Sequence, residues 1–538
     1  MGRQLISGRA MRRVLASMVG VAGLALAAGA SAPAIAATTD APAAAPQYNI
    51  ELCCQLCPKA ADPTSYDGSS YLNDFRVLEQ GRKGWLFRSK MDLATHIDIN
   101  DESIAQLHRL VTALRARGSE LVIVLQPPRG LMDPDMLTTA ERARYDFATA
   151  KQSYANALAR IRLSGAQVAP LDTLVNEHKG YEYFFRRDHH WTPEGARHTA
   201  AVVAQTIKSL PAYRQIPQQQ YVTKEASLIG KPGTLQKVAA QICGGSYSMQ
   251  YVTGYVTELA GGDDAGALLG NDTSSNGDAS GGGLLDVANK GNDGGGLLGA
   301  DGADGGVPQV ALIGTSNSDT KGGYNFAGFL EQDLSVDIFD TALSGGSFDG
   351  SLLHYLPSKI YQDHPPKVIV WEIPWQNWPG AQEGDKDPYK TYRQAVPLVY
   401  DGCDGRQAVM SRTIDVHQGS NELLFNGGHV EPLVGGHYWL DVQFSDPTVK
   451  DMHAMIWYYS GQKDSLKLHF NQYVDNGGRF VTELRDDRPE YAKATMMGAT
   501  LEIDQPVSAS LKVTARVCAA EGAGQQTASL QEVRHGHH

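Results

Sequence analysis

Between about residues 70 and 400, apolar positions recur at two alternating periods. Ile104, Leu107, Leu110, Val111 and Leu114 form one stripe at helical spacing across Ser103–Gly118, closed by a glycine suited to a C-cap. Leu121–Leu125 is a short continuous apolar run, the mark of a strand buried on both faces. Arg142–Leu163 reads as a second helix. Thr192-Pro193 reads as the N-cap and first-turn proline of a third, which runs to about Lys208. Val310–Ile313 and Val368–Trp371 are two further buried strands. This alternation predicts an α/β layer architecture around a mainly parallel sheet. Past about residue 405 the period drops to two, as in Tyr438-Leu440-Val442-Phe444, Leu466-Leu468-Phe470 and Leu511-Val513-Ala515-Val517. Short alternating runs between turn signals predict a β-sandwich.

Composition changes this picture in three places. The chain has 538 residues and is 42% hydrophobic, which implies more than one domain and excludes general disorder. Its formal charge of -12 argues against a nucleic-acid partner and requires that any site for an anionic polymer draw on local basic residues. Residues 1–36 carry four arginines, no acid, an apolar run from Val14 to Ala30 and an Ala34-Ile35-Ala36 end, the layout of a secretory signal peptide. Export to a periplasmic location makes disulfides the expected use of the six cysteines Cys53, Cys54, Cys57, Cys243, Cys403 and Cys518. Spacing does not choose among pairings, although a Cys403–Cys518 bond would clasp the sandwich. Residues 261–306 hold eight Asp, one Lys, no Glu and much of the glycine excess, and read as a flexible acidic insertion.

Two clusters carry candidate chemistry. In Arg187-Asp188-His189-His190-Trp191, an extended backbone would put Asp188 and His190 on one face, letting the carboxylate orient the imidazole, with His189 pointing away. Metal binding by the histidine pair is the rival use, and no second ligand cluster supports it. In Ala311-Leu312-Ile313-Gly314-Thr315-Ser316, a buried strand ends in glycine and hydroxyl residues, a turn that presents a serine together with its own N–H. Gly345 and Gly346 offer further backbone donors. Ser316, His190 and Asp188 together would make an acyl-transfer triad, since free serine needs a base to act as nucleophile.

Cys53-Cys54-Gln55-Leu56-Cys57-Pro58, Gly84-Trp85-Leu86-Phe87, Gln126–Gly130, Asp188–Thr192, Cys243–Tyr247, Gly314–Ser318, Tyr324–Gln332, Trp371-Glu372 and Ile456-Trp457-Tyr458 jointly resemble the AlgX family of periplasmic alginate O-acetyltransferases. The resemblance implies an α/β SGNH-hydrolase-like domain with permuted motif order, followed by an all-β sandwich carbohydrate-binding domain. It assigns Ser316 as nucleophile, His190 as base and Asp188 as orienting acid. It also implies disulfides Cys57–Cys243 and Cys403–Cys518, with Cys53 and Cys54 left open. The expected organisation is a signal peptide (1–36), a cysteine-bearing tail (37–58), a catalytic domain (59–402) interrupted at 261–306, a sandwich (403–520) and a tail (521–538). Tyr324 matches a family tyrosine near the nucleophile. Trp375 and Trp378 lie where this chain departs from the family, with extra residues to about Pro388. Trp457 is the candidate stacking residue of the sandwich, and Arg129, His453 and Lys463 are candidate partners for uronate carboxylates.

The reaction expected on this basis is acetyl transfer to mannuronate hydroxyls of alginate, with no cofactor and no metal. The acetyl comes from a donor or relay protein, and the setting is an assembly for alginate synthesis and export. A non-catalytic polymer-binding scaffold and an acetyl esterase are the alternatives.

Overall fold

The structure is a computed structural model that describes residues 56–176, 180–245, 247–261, 306–380, 387–428 and 430–521. The expected signal peptide, Cys53 and Cys54, almost all of the Gly/Asp-rich insertion and the C-terminal tail lie outside the described residues. No described helix is long and apolar enough to cross a membrane.

Near the N-terminus β1 (Leu78–Gln80) and β2 (Leu86–Arg88) pair antiparallel. β3 (Glu120–Gln126) and β4 (Gln167–Val168) enter the central sheet, and β5 (Tyr221–Lys231) and β6 (Gln250–Leu259) form a separate antiparallel ribbon. β7 (Val310–Ile313), β8 (Ile338–Asp340) and β9 (Val368–Pro374) complete a five-stranded parallel sheet of order β4-β3-β9-β7-β8. The three central strands are buried along almost their whole length, as their unbroken apolar runs require.

The expected helices form, with one correction. Asp101–Ala116 starts ahead of its apolar stripe because the Asn100 side chain accepts the Ser103 N–H. Pro193–Lys208 begins at Thr192, whose hydroxyl accepts the Gly195 N–H. The single helix expected over Arg142–Leu163 is two, Thr139–Arg144 and Phe147–Arg162. Thr138 and Glu141 close a capping box on the first, and Asp146 caps the second by accepting from Thr149, so a fresh helix starts there.

Eight strands follow: β10 (Ala408–Asp415), β11 (Gly419–Phe425), β12 (Tyr438–Phe444), β13 (Asp451–Tyr458), β14 (Lys463–His469), β15 (Arg479–Glu483), β16 (Met496–Ile503) and β17 (Lys512–Ala519). They build two four-stranded antiparallel sheets, β10-β17-β12-β15 and β11-β16-β13-β14, a β-sandwich. Burial alternates residue by residue along β13 and β14, as period-two patterning demands. Cys403–Cys518 clasps the sandwich against Trp439, and Cys57–Cys243 ties the N-terminal segment to the Thr234–Cys243 helix. The two domains share ion pairs, one fully buried and one with a partly exposed arginine. Arg393, on the Lys390–Val399 helix, reaches Asp464 of β14 at 2.7 Å, and Arg109 reaches Glu483 of β15 at 2.6 Å. Removing one partner of such a pair leaves a charge stranded out of water.

Candidate active site

The C-terminal ends of β7 and β9 and the segment before the Pro193–Lys208 helix converge on one cavity of about 400 Å³, lined by Ser316, Asn317, His189, Arg88, Gly345 and Asn377 among others. In an open parallel sheet this is where loops past the strand ends form ligand sites.

Ser316 Oγ lies 2.7 Å from His190 Nε2, and His190 Nδ1 is hydrogen-bonded to Asp188 Oδ1. Asp188 is fully buried. Burial alone would raise its carboxyl, but the charge and hydrogen bond of His190 outweigh it and hold Asp188 well below the usual carboxylate range. Backbone N–H groups of His190 (2.9 Å) and Thr234 (2.8 Å) also donate to the Asp188 carboxylate, fixing both of its oxygens. The backbone here is a bend, not the extended segment expected, closed by the Phe184–Trp191 bridge. His189 therefore does not point away. Its ring lies 3.9 Å from that of His190, its Nδ1 meets Thr234 Oγ1 at 2.6 Å, and burial followed by the neighbouring His190 pushes its imidazolium well down. Asp188, His189 and His190 bring three ligand-type atoms within 4.8 Å of one another. His190 already spends both ring nitrogens, on Asp188 and Ser316.

The turn that carries Ser316 is held from below. Glu372, at 0% exposure on β9, accepts from the N–H and the hydroxyl of Thr315, each at 2.8 Å, and from Ser318 Oγ at 3.3 Å. Burial raises its pKa to about 7, against the pull of the Thr315 bonds. Gly314 permits this approach: a Cβ there would fall 2.8 Å from Ser318 Cβ and 3.1 Å from Glu372 Oε2. Asn317 ties the turn to the histidine segment, accepting the Trp191 N–H on Oδ1 (3.3 Å) and the indole N–H on its carbonyl (2.8 Å). The Ser316 N–H has no acceptor among the described residues, and neither has that of Gly345, which lines the same cavity.

Several residues expected at the substrate surface lie elsewhere. Arg129 is 1% exposed and donates to the carbonyls of Phe185 (2.9 Å), Asp188 (2.5 Å) and Leu86 (3.0 Å), with Asp92 at 3.4 Å. It braces the Asp188 loop from inside and cannot meet a polymer carboxylate. Tyr324 is also buried: its ring stacks on His190 at 5.6 Å and its hydroxyl meets Lys231 Nζ, so it backs the His190 imidazole. Trp378 is buried with its indole N–H on Ser103 Oγ at 2.7 Å, and Trp375 packs partly buried on the core, while the intervening Gln376 and Asn377 line the cavity. The Gly346 N–H donates to Leu343 O at 3.1 Å and is not free for an oxyanion. Trp457 is half-buried on the sandwich with Lys463 Nζ 4.5 Å over its ring, and His453 lies on the same strand face beyond Met455. Neither Trp457 nor Lys463 lines the Ser316 cavity.

The contacts of Glu372, Asn317 and Lys231 at this site were not legible in the sequence. The signal for Glu372 was a carboxylate closing an apolar strand, at the end where ligands bind.

The family model of the SGNH hydrolase-like domain of acetyltransferase AlgX matches residues 78–276 and 285–375, and that of a C-terminal carbohydrate-binding module matches residues 402–530. The alginate biosynthesis protein AlgX of Pseudomonas aeruginosa is 39% identical over 477 residues, covering 89% of this chain and 91% of that protein. The solved structure of Pseudomonas aeruginosa AlgX superposes with a TM-score of 0.71 at 37% identity, covering 86% of this chain and 99% of that one. A probable alginate O-acetylase AlgJ of Pseudomonas syringae pv. tomato is 25% identical over 345 residues, 59% of this chain and 74% of that protein. Sequence and fold thus match across both domains in the same order, and the chain belongs to the AlgX family.

Proposed function

We propose that this chain is an exported, periplasmic O-acetyltransferase that passes acetyl groups through Ser316 to hydroxyls of mannuronate residues in alginate. The observation that carries the reading is the 2.7 Å contact between Ser316 Oγ and His190 Nε2, with Asp188 on the opposite ring nitrogen. Relatives named for alginate biosynthesis and for alginate O-acetylation support the choice of polymer and of group transferred.

Ser316 Oγ attacks the acetyl carbonyl of a donor while its proton passes to His190 Nε2. Asp188 stabilises the imidazolium through Nδ1 and keeps the ring in the tautomer whose Nε2 accepts. The N–H groups of Ser316 and Gly345 receive the oxyanion. Collapse breaks the bond to the leaving group, which takes the proton from His190, and leaves Ser316 acetylated. A mannuronate hydroxyl then attacks the same carbonyl carbon and gives its proton to Nε2. The Ser316 oxygen departs and is reprotonated from His190. The sugar must outcompete water for the acetyl-enzyme. A polymer held on the sandwich, with Trp457 and Lys463 as its contacts, raises the local acceptor concentration and serves that end.

Ser316→Ala is expected to abolish acetylation of mannuronate oligomers while retention on immobilised alginate is unchanged. Full turnover by that variant overturns the assignment, and release of free acetate with no acetylated acceptor reassigns the site to an esterase.

A further inference from the structure

The loop Leu343–Ser347, which faces Ser316, is held from two sides. The nucleophile turn holds one: Leu343 N–H donates to Gly314 O at 3.1 Å and Ser344 N–H to Asp319 Oδ2 at 2.9 Å. The β-sandwich holds the other. Asn471, in the connection between β14 and β15, donates its side-chain N–H to the Gly345 carbonyl. The Tyr473 ring lies against Gly345, where a Cβ would come within 2.5 Å of Tyr473 Cε2. Two residues on, the Asp475 carbonyl meets His354 Nδ1 at 2.9 Å, and Val474 packs on Gly350. The sandwich loop is itself set, since Asn471 Oδ1 accepts the Tyr473 N–H at 2.9 Å.

The peptide between Gly345 and Gly346 is therefore pinned at both ends, its carbonyl by Asn471 and its N–H by Leu343 O. Gly345 sits at φ +78°, a left-handed conformation that suits glycine. Fixing this unit fixes the rotation of the preceding peptide, whose N–H is the one left without an acceptor.

We propose that the carbohydrate-binding module is part of the acyl-transfer machinery. Asn471 and Tyr473 are positioning residues that hold the Gly345 N–H in oxyanion geometry across the domain boundary. The inference rests on the reading of Ser316 as nucleophile. It separates two roles for the sandwich: polymer capture alone would leave chemistry on a small ester untouched, whereas a positioning role would not.

The test is stopped-flow acylation of the full chain by p-nitrophenyl acetate, a substrate with no sugar. The bond from acetyl to Ser316 Oγ forms, the aryl ester bond breaks and p-nitrophenolate is read directly. Asn471→Asp keeps the oxygen that accepts the Tyr473 N–H but replaces the donor to Gly345 with a repelling one. It is expected to slow acylation ~10-fold or more with little change in KM, since an oxyanion donor is worth about 100-fold or more when removed outright. Tyr473→Ala is expected to act alike, and Tyr473→Phe, which retains the ring, to recover most of the loss. Acylation within about twofold of wild type for both Asn471→Asp and Tyr473→Ala overturns the proposal, well short of the loss expected for a displaced donor. Ser316→Ala, run alongside, separates the failures: if it acylates as wild type does, or if wild type shows no Ser316-dependent acylation, the nucleophile reading has failed. If only the sandwich variants are unaffected, the positioning claim alone falls.

Discussion

Glu372 Oε2 accepts both the N–H and the hydroxyl of Thr315 at 2.8 Å, so the residue before the candidate nucleophile is clamped to a carboxylate in the floor of the sheet. The clamp gives a pH signature. Glu372 titrates at about 7 in the folded chain, raised by burial, against about 4.3 for a free glutamate. Between those values the folded state binds the extra proton, so stability is fully present below about pH 4 and falls as pH rises through 7. The loss amounts to roughly 4 kcal/mol. Glu372→Gln, whose amide oxygen still accepts from Thr315, is expected to flatten this slope in urea-unfolding curves collected from pH 4 to 8. An unchanged slope would contradict the raised carboxyl.

Asp188→Asn is expected to lower kcat for acetyl transfer on the order of 10⁴-fold, with polymer retention intact, because an amide no longer enforces the accepting tautomer at His190 Nε2. A loss confined to KM would place Asp188 in binding instead.

Arg129→Ala is expected to destabilise the chain by roughly 3–5 kcal/mol, because it strips the buried carbonyls of Phe185, Asp188 and Leu86 of a donor and removes one of the two guanidinium partners of the buried Asp92. Urea unfolding measures this. Unchanged stability with weakened alginate retention would return Arg129 to the substrate surface.

The Lys463 ammonium over the Trp457 ring makes one patch of a stacking face and a cation. Trp457→Ala and Lys463→Ala should each weaken alginate retention, and a double-mutant cycle should show coupling of about 0.5–1 kcal/mol. Added salt should weaken retention by wild type more than by Lys463→Ala, since the cation–carboxylate attraction is screened. Strict additivity would show that the two act separately.

Much of the scaffold was legible because its signals are local. The apolar run Val310–Ile313 is the strand β7 to the residue, and Thr192-Pro193 opens a helix as an N-cap and proline should. The helix break at Tyr145–Asp146 was also written locally, in two cap signals that an unbroken apolar period masked. The site was legible as residue types but less so as orientation. Whether Arg129 or Tyr324 faces a cleft or a core depends on which distant segments cover it, here Leu86, Phe185 and Lys231. The same holds for the Gly345 and Gly346 N–H groups: a turn bond to Leu343 spends one, and no residue type announces that. The contact of Asn471 with Gly345 spans 126 positions and joins two domains, beyond the reach of any periodicity.

The charge pattern sharpens in the same way. A chain of formal charge -12 handles an anionic polymer only through local cations. Lys463 on the sandwich would be such a cation, whereas Arg129 and the cavity-wall Arg88, which pairs with Asp92 at 2.7 Å, are spent on the fold.

Acetyl transfer through Ser316 requires a covalent acetyl group on that residue. Mass spectrometry of the chain after exposure to an activated acetyl ester, without acceptor, is expected to find one acetyl on the peptide bearing Ser316. That acetyl should be lost on adding mannuronate oligomers, with matching acetylation of the sugar, and His190→Ala should not form it. An unmodified Ser316, or an acetyl on another residue passed to the acceptor, would contradict transfer through Ser316.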